Sequence, residues 1–181
     1  MALSITLLII SGLSIRFPGF LGWGTMNTAR FIHFIFMYVL IFSWIFHVYH
    51  TLRVECKEEI IGVNDIKGFP RILKYYLFLS DDHPLYTKYN PVQKLAYNIL
   101  WILILIQVVT GLALYWPEKF MGFTHALGGI MAFRILHDFL TYIFISFIIV
   151  HVYMALLEDV RSVWAMFHGY YYRKTSSGRS Q

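Results

Sequence analysis

The sequence predicts an all-α integral membrane protein, a four-helix bundle with a cytoplasmic interfacial helix between the second and third helices. Three observations predict it. The 181 residues are 58% hydrophobic and 19% aromatic but only 14% charged, a composition that soluble domains rarely have. The apolar residues gather into four stretches, three of them meeting the roughly 20 residues that a bilayer-spanning helix needs. The lysines and arginines collect on one side of those stretches.

The first stretch, about 2–16, is an apolar run closed by Arg16. It has no basic lead-in and no A-x-A cleavage site, so it reads as a spanning helix short by a turn or two rather than as a signal sequence. The second helix is expected at about 31–52, the third at about 95–116 and the fourth at about 135–157. Between the second and third, Phe69–Leu79 (FPRILKYYLFL) mixes basic residues with aromatic and aliphatic ones after a Gly-Phe-Pro break. That pattern reads as an amphipathic helix at the membrane interface, with docking on the bundle as the alternative. The loops near 16–30 and 117–134 are short and rich in Gly, Trp and Phe, too small for a catalytic domain and suited to docking. One transmembrane domain is expected over 1–172, followed by a flexible Ser-rich basic tail, 173–181.

Charge sets the orientation. The 53–94 connection holds seven basic residues (Arg53, Lys57, Lys67, Arg71, Lys74, Lys88, Lys94) and the C-terminal end four (Arg161, Arg173, Lys174, Arg179). Those eleven face four on the other side, Arg16, Arg30, Lys119 and Arg134. Both termini and the long connection are therefore expected in the cytoplasm. The same distribution accounts for the net charge of +5 without a nucleic-acid partner. A single cysteine, Cys56, excludes an intrachain disulfide and any Cys-ligated cluster, and the lack of C-x-x-C-H excludes covalent c-type haem.

The residues that carry chemistry are histidines inside apolar helices, where polar groups are costly and usually functional. His33 and His47 lie 14 residues apart on the second helix, and His137 and His151 repeat that spacing on the fourth. Fourteen residues rise about 21 Å and return to within about 40° of one face. Each helix thus offers one imidazole near each side of a hydrocarbon core about 30 Å thick. The two helices run in the same direction, so His33 is level with His137 and His47 with His151. Pairs about 21 Å apart cannot serve one tetrahedral metal site. Two bis-histidine haems b are the better account. His50, three residues after His47, shares its face and competes as a ligand, binds a haem propionate or faces lipid headgroups. Arg30 and Arg134 each precede an outer histidine by three residues and suit haem propionates, with plain interfacial anchoring as the alternative. Asp138 would tune the outer haem, contact a partner or act as a helix N-terminal acid. His83 and His125 read as solvated loop residues, and His168 as lying near the membrane surface.

The order of motifs carries a resemblance. RFIHF at 30–34 opens the second helix, YNPVQKLAY at 89–97 leads into the third, and TGLALYWP at 110–117 ends it. RILHDF at 134–139 and HVYMALLEDV at 151–160 bracket the fourth. Together these resemble the diheme b-type cytochrome subunit of membrane-bound nickel–iron hydrogenases and, more distantly, the gamma subunit of respiratory formate dehydrogenase. HVYMA with its acidic pair and downstream Gly-Tyr is more similar to the hydrogenase branch.

The resemblance implies a bacterial or archaeal inner-membrane anchor. Such a subunit takes electrons from an extracytoplasmic iron–sulfur subunit, itself bound to a large catalytic subunit, and passes them to menaquinone or ubiquinone. The chain itself would carry out no hydrogen or formate chemistry, only quinone reduction. His33 and His137 would ligate the outer haem and His151 the inner one, with quinone near Asn90, Gln93 and Lys94; a helix-capping role is the alternative for Asn90. The family's fourth ligand lies in a His-Trp pair about 14 residues before the glycine of an SG or TG motif. Here that glycine is Gly12, so the position falls before Met1. A histidine upstream, His47 or His50 are the alternatives, or an inner haem that is five-coordinate or absent. Two rival functions stand beside this one: a free-standing cytochrome b that oxidises a small reductant, and a haem-free scaffold or metal transporter.

Overall fold

The structure, a computed structural model, describes residues 1–20, 25–55, 60–76, 79 and 90–158. Among them every regular element is helical: α1 (Ala2–Arg16), α2 (Met26–His50), α3 (Val63–Tyr76), α4 (Pro91–Tyr115), α5 (Met121–Ala126) and α6 (Gly129–Glu158). A π-helical turn, Thr51–Glu55, continues α2. Among the described residues three segments are long and apolar enough to cross a membrane: Met26–Val54, Pro91–Tyr115 and Gly129–Tyr153. The chain divides into two compact units, Met1–Leu140 and Thr141–Gln181.

The spanning helices begin earlier than expected, for a common reason. Apolar periodicity marks only the lipid-facing part of a helix, whereas caps mark its end. Thr25 caps α2 by accepting from the Thr28 N–H, so the polar turn 26–30 is helical too. At α4, the Asn90 side chain accepts from the Gln93 N–H at 2.9 Å, and Gln93 Oε1 accepts from the Asn90 N–H at 3.1 Å. This reciprocal capping box, followed by a proline at the first helical position, moves the start from 95 to Pro91. Before α6, Gly128 and Gly129 have φ of +94° and +84°, a reversal that side-chain-bearing residues resist. The start there moves from 135 to Gly129, and the 117–134 connection contains α5 as well.

The helix of the long connection is also displaced. It starts at Val63, not Phe69, and runs through the Gly-Phe-Pro break. Pro70 is tolerated in its interior because it lies on the exposed side with Ile66, whose carbonyl loses its helical partner there. Ile72, fully buried, faces the opposite way. The expected end at Leu79 spans residues 77–78, outside the described set, as are His83, His168 and the 173–181 tail.

In the first unit, α1 packs on α2. The buried residues of α1 are Ser4, Ser11 and Ser14, spaced to share one face, and small side chains let the helix backbones approach closely. The matching face of α2 buries Ala29, Met37 and Leu40. The hydroxyls satisfy themselves inside apolar surroundings: Ser11 donates to the Leu7 carbonyl at 2.7 Å and Ser14 to that of Ile10 at 2.9 Å. Helix α3 docks on the start of α4 through an ion pair, with Lys94 Nζ 3.2 and 3.1 Å from the two carboxylate oxygens of Asp65. In the second unit, the described part of α6 buries Phe144 and leaves Ile149 and Val150 exposed, as a lipid-facing surface does.

Candidate haem site

Two of the singled-out histidines meet. The rings of His33, on α2, and His137, on α6, have centroids 6.4 Å apart and planes inclined by 67°. Both are half-buried. Two imidazoles bound on opposite sides of one metal, each with a metal–nitrogen bond of about 2 Å, place their centroids about 6 Å apart. The observed spacing fits that requirement.

Each ring is held by the same device. His33 Nδ1 lies 2.9 Å from the Ser11 hydroxyl on α1, and His137 Nδ1 lies 2.9 Å from the Thr110 hydroxyl on α4. Each hydroxyl hydrogen is already directed at a carbonyl of its own helix, Leu7 for Ser11 and Ile106, at 2.9 Å, for Thr110. The oxygen therefore accepts, and each Nδ1 carries the proton and donates. That tautomer leaves the acceptor lone pair on Nε2, the nitrogen that could bind a metal.

Glycines give the rings room. Gly12 follows Ser11 and Gly111 follows Thr110. A Cβ at Gly12 would stand 3.3 Å from His33 Cε1, and one at Gly111 would stand 3.2 Å from His137 Cε1. Gln107, one turn before Gly111, places its amide nitrogen 3.3 Å from His137 Nε2 and donates to the His137 carbonyl at 3.4 Å. The donor set, the ring separation and the two glycine cradles fit a haem iron held between the pair.

The other candidates are distributed more widely. His47, half-buried on α2, meets the Trp101 ring edge-on, with centroids 5.7 Å apart. Beside it the Trp44 indole nitrogen is buried with no hydrogen-bond partner among the described residues. His50 is exposed, and so are Arg30 and Arg134, one helical turn from His33 and His137. His125 is exposed on α5. In the second unit His151 stacks on Phe147, with centroids 6.0 Å apart and planes 12° from parallel. Asn90 and Gln93 form the cap of α4 and Lys94 the pair with Asp65. Asp138, next to His137, lies 3.4 Å from Arg16 at the end of α1. Among the described residues no group of three or more His, Cys, Asp or Glu could hold a metal ion.

Sequence reasoning used Gly12 only to place a ligand that the resemblance implies and Thr110-Gly111 only as part of a motif, and missed the contacts of both pairs with the rings. The signal was present: a hydroxyl residue followed by glycine inside an apolar helix, twice, each time ahead of a helix with an intramembrane histidine. The ion pairs Asp65–Lys94 and Arg16–Asp138 carried no such signal.

Residues 1–169 match the sequence profile of a family described as prokaryotic cytochrome b561. The chain belongs to that family. Similar proteins of this kind include a probable Ni/Fe-hydrogenase B-type cytochrome subunit of Cupriavidus necator, 27% identical over 88% of this chain and 74% of the relative. Proteins of the same description from Azotobacter vinelandii and Rhodobacter capsulatus are each 28% identical, over 76% and 91% of this chain. The chain spans 64% of the length of the former and 72% of the latter. As a prokaryotic cytochrome b561, the chain is a membrane protein whose family implies haem b.

Proposed function

We propose that this chain is the diheme b membrane anchor and electron-transfer subunit of a hydrogenase, passing electrons from an extracytoplasmic iron–sulfur subunit to the quinone pool. The observation that carries the reading is the pair His33 and His137, two neutral-tautomer imidazoles 6.4 Å apart between apolar helices. Haem b, when bound, supplies a one-electron iron couple whose potential its axial ligands help set. His33 and His137 would hold the outer group, and His151 would supply a ligand to the inner one. Arg30 and Arg134 sit a turn outward of the outer pair, where guanidinium groups suit propionates.

At the cytoplasmic side, Asn90, Gln93 and Lys94 stand at the entry to α4. The capping box and the Asp65 ion pair fix them in place, and their N–H donors suit a quinone carbonyl. Helix α1 completes a four-helix bundle, α3 lies at the interface, and both termini face the cytoplasm with the 53–94 connection. Relatives that carry a hydrogenase name favour hydrogenase over formate dehydrogenase as the partner. A test uses membranes containing the chain with its co-expressed hydrogenase. Addition of hydrogen should reduce a b-type absorption band, which added quinone should then reoxidise. A band that stays oxidised under hydrogen while an artificial dye is reduced would contradict the reading.

A further inference from the structure

The structure repeats one construction twice. In the α1–α2 pair, a hydroxyl residue and a glycine on the first helix receive the imidazole of the second: Ser11 and Gly12 for His33. In α4 and α6 the same arrangement recurs with Thr110 and Gly111 for His137. The matching distances are close, 2.9 Å for both Nδ1 contacts and 3.3 and 3.2 Å for the two glycine approaches. Both hydroxyls are buried, Ser11 fully and Thr110 to within 2%. Small residues at a helix crossing have a plain packing role, and that role would be met equally by alanine. What alanine lacks is the acceptor.

We infer that Ser11 and Thr110 are matched positioning residues, each accepting the Nδ1–H of one outer histidine so that both Nε2 lone pairs are presented to the iron and both rings are made more electron-donating. The inference rests on the haem reading above. A ligand imidazole whose remaining N–H is accepted by a neighbour is oriented, fixed in tautomer and raised in basicity. A more basic ligand stabilises the ferric state and lowers the potential. Each hydroxyl can act this way because its own hydrogen is committed to the preceding turn, to Leu7 and Ile106. The pair is therefore a two-sided control of one site from two different helices.

The experiment uses the purified full chain in detergent, loaded with haem, in the variants Ser11→Ala, Ser11→Thr, Thr110→Val and Thr110→Ser. Redox titration, ferric electron paramagnetic resonance and haem content are read for each. Ser11→Ala and Thr110→Val should raise the potential of the outer haem, shift its resonance and weaken its retention by about 10-fold, the lower end of what such partners contribute. Ser11→Thr and Thr110→Ser, which keep an acceptor, should match the wild type, and the inner haem should be unmoved throughout. Wild-type potentials and resonances in Ser11→Ala and Thr110→Val, in a chain that binds haem normally, would overturn this inference alone. A wild-type chain with no b-type spectrum would overturn the haem reading and this inference together.

Discussion

At the residue scale the decisive question is which nitrogen of each histidine is protonated, because that determines whether an intramembrane imidazole is a ligand or a satisfied core residue. The hydroxyls of Ser11 and Thr110, each 2.9 Å from Nδ1, bear on it for His33 and His137. Gly12 and Gly111 answer a steric version of the same question. A methyl group at Gly111 would press to 3.2 Å of His137 Cε1. Gly111→Ala should therefore displace the ring, cost about 1–3 kcal/mol as overpacking does, and reduce b-type absorbance in the purified protein. Gly12→Ala should do the same through His33, while Gly122→Ala, where a Cβ meets nothing within 4 Å, should leave the spectrum unchanged.

Asp65 belongs to the same scale. Burial works against its charge, but the Gly62 N–H and the Lys94 ammonium outweigh that and hold the carboxyl below the usual carboxylate range. A lowered folded pKa means that the pair's stabilisation is present above the unfolded value, about 4, and is lost as pH falls through the folded one. With side chains only 12% and 19% exposed, the pair lies between surface and buried cases, worth about 2 kcal/mol. The protection factors of the α3 amides, exchange measured relative to the intrinsic rate at each pH, should fall as the pH drops below about 4. In Asp65→Asn that loss of protection should already be present at neutral pH and vary little with acid. Equal protection in both proteins at pH 7 would remove the ion pair from the account of α3 docking.

At the scale of the element, the capped starts determine where polar side chains stand. Asn90 and Gln93 are reciprocal caps of α4, and substituting the cap asparagine by alanine typically costs about 1 kcal/mol. If these residues also bind quinone, Asn90→Asp, which keeps the cap acceptor but loses the amide donor, should raise the quinone KM several-fold with the thermal midpoint nearly unchanged. A midpoint shift with an unchanged KM would leave the cap as the whole role.

The existence of the spanning helices was legible because long apolar runs are a direct consequence of bilayer solvation. Their starts were not, because the caps at Thr25 and Asn90 and the glycines at 128–129 lie outside the apolar pattern. The path of α3 through Pro70 was hidden for another reason: whether a proline breaks a helix depends on which side of it faces solvent. Of the candidate site, the meeting of His33 with His137 was legible from spacing, which set the two level. The contacts of Ser11, Thr110 and Gln107 were not, since they bring together residues 22 to 30 positions apart.

At the scale of the whole molecule, spans in which charge is sparse leave the histidines as the main chemistry-bearing groups at membrane depth. A prokaryotic cytochrome b561 that brings a histidine of α2 to one of α6, each beside a hydroxyl of a neighbouring helix, is organised as an electron-transfer subunit. The charge bias makes a separate prediction: reporter fusions at either terminus, and within the 80–89 connection, should be active only as cytoplasmic reporters. A periplasmic signal from the C-terminal fusion would reverse the proposed orientation and with it the side on which quinone is reduced.

The most direct test of the central claim is haem content per chain, by pyridine haemochrome and reduced-minus-oxidised spectra, in the wild type, His33→Ala, His137→Ala and the double variant. The account predicts that each single variant loses the same half of the b-type absorbance and that the double variant loses no more than either alone, because both residues serve one iron. Losses that add in the double variant, or a band that survives both substitutions, would contradict it.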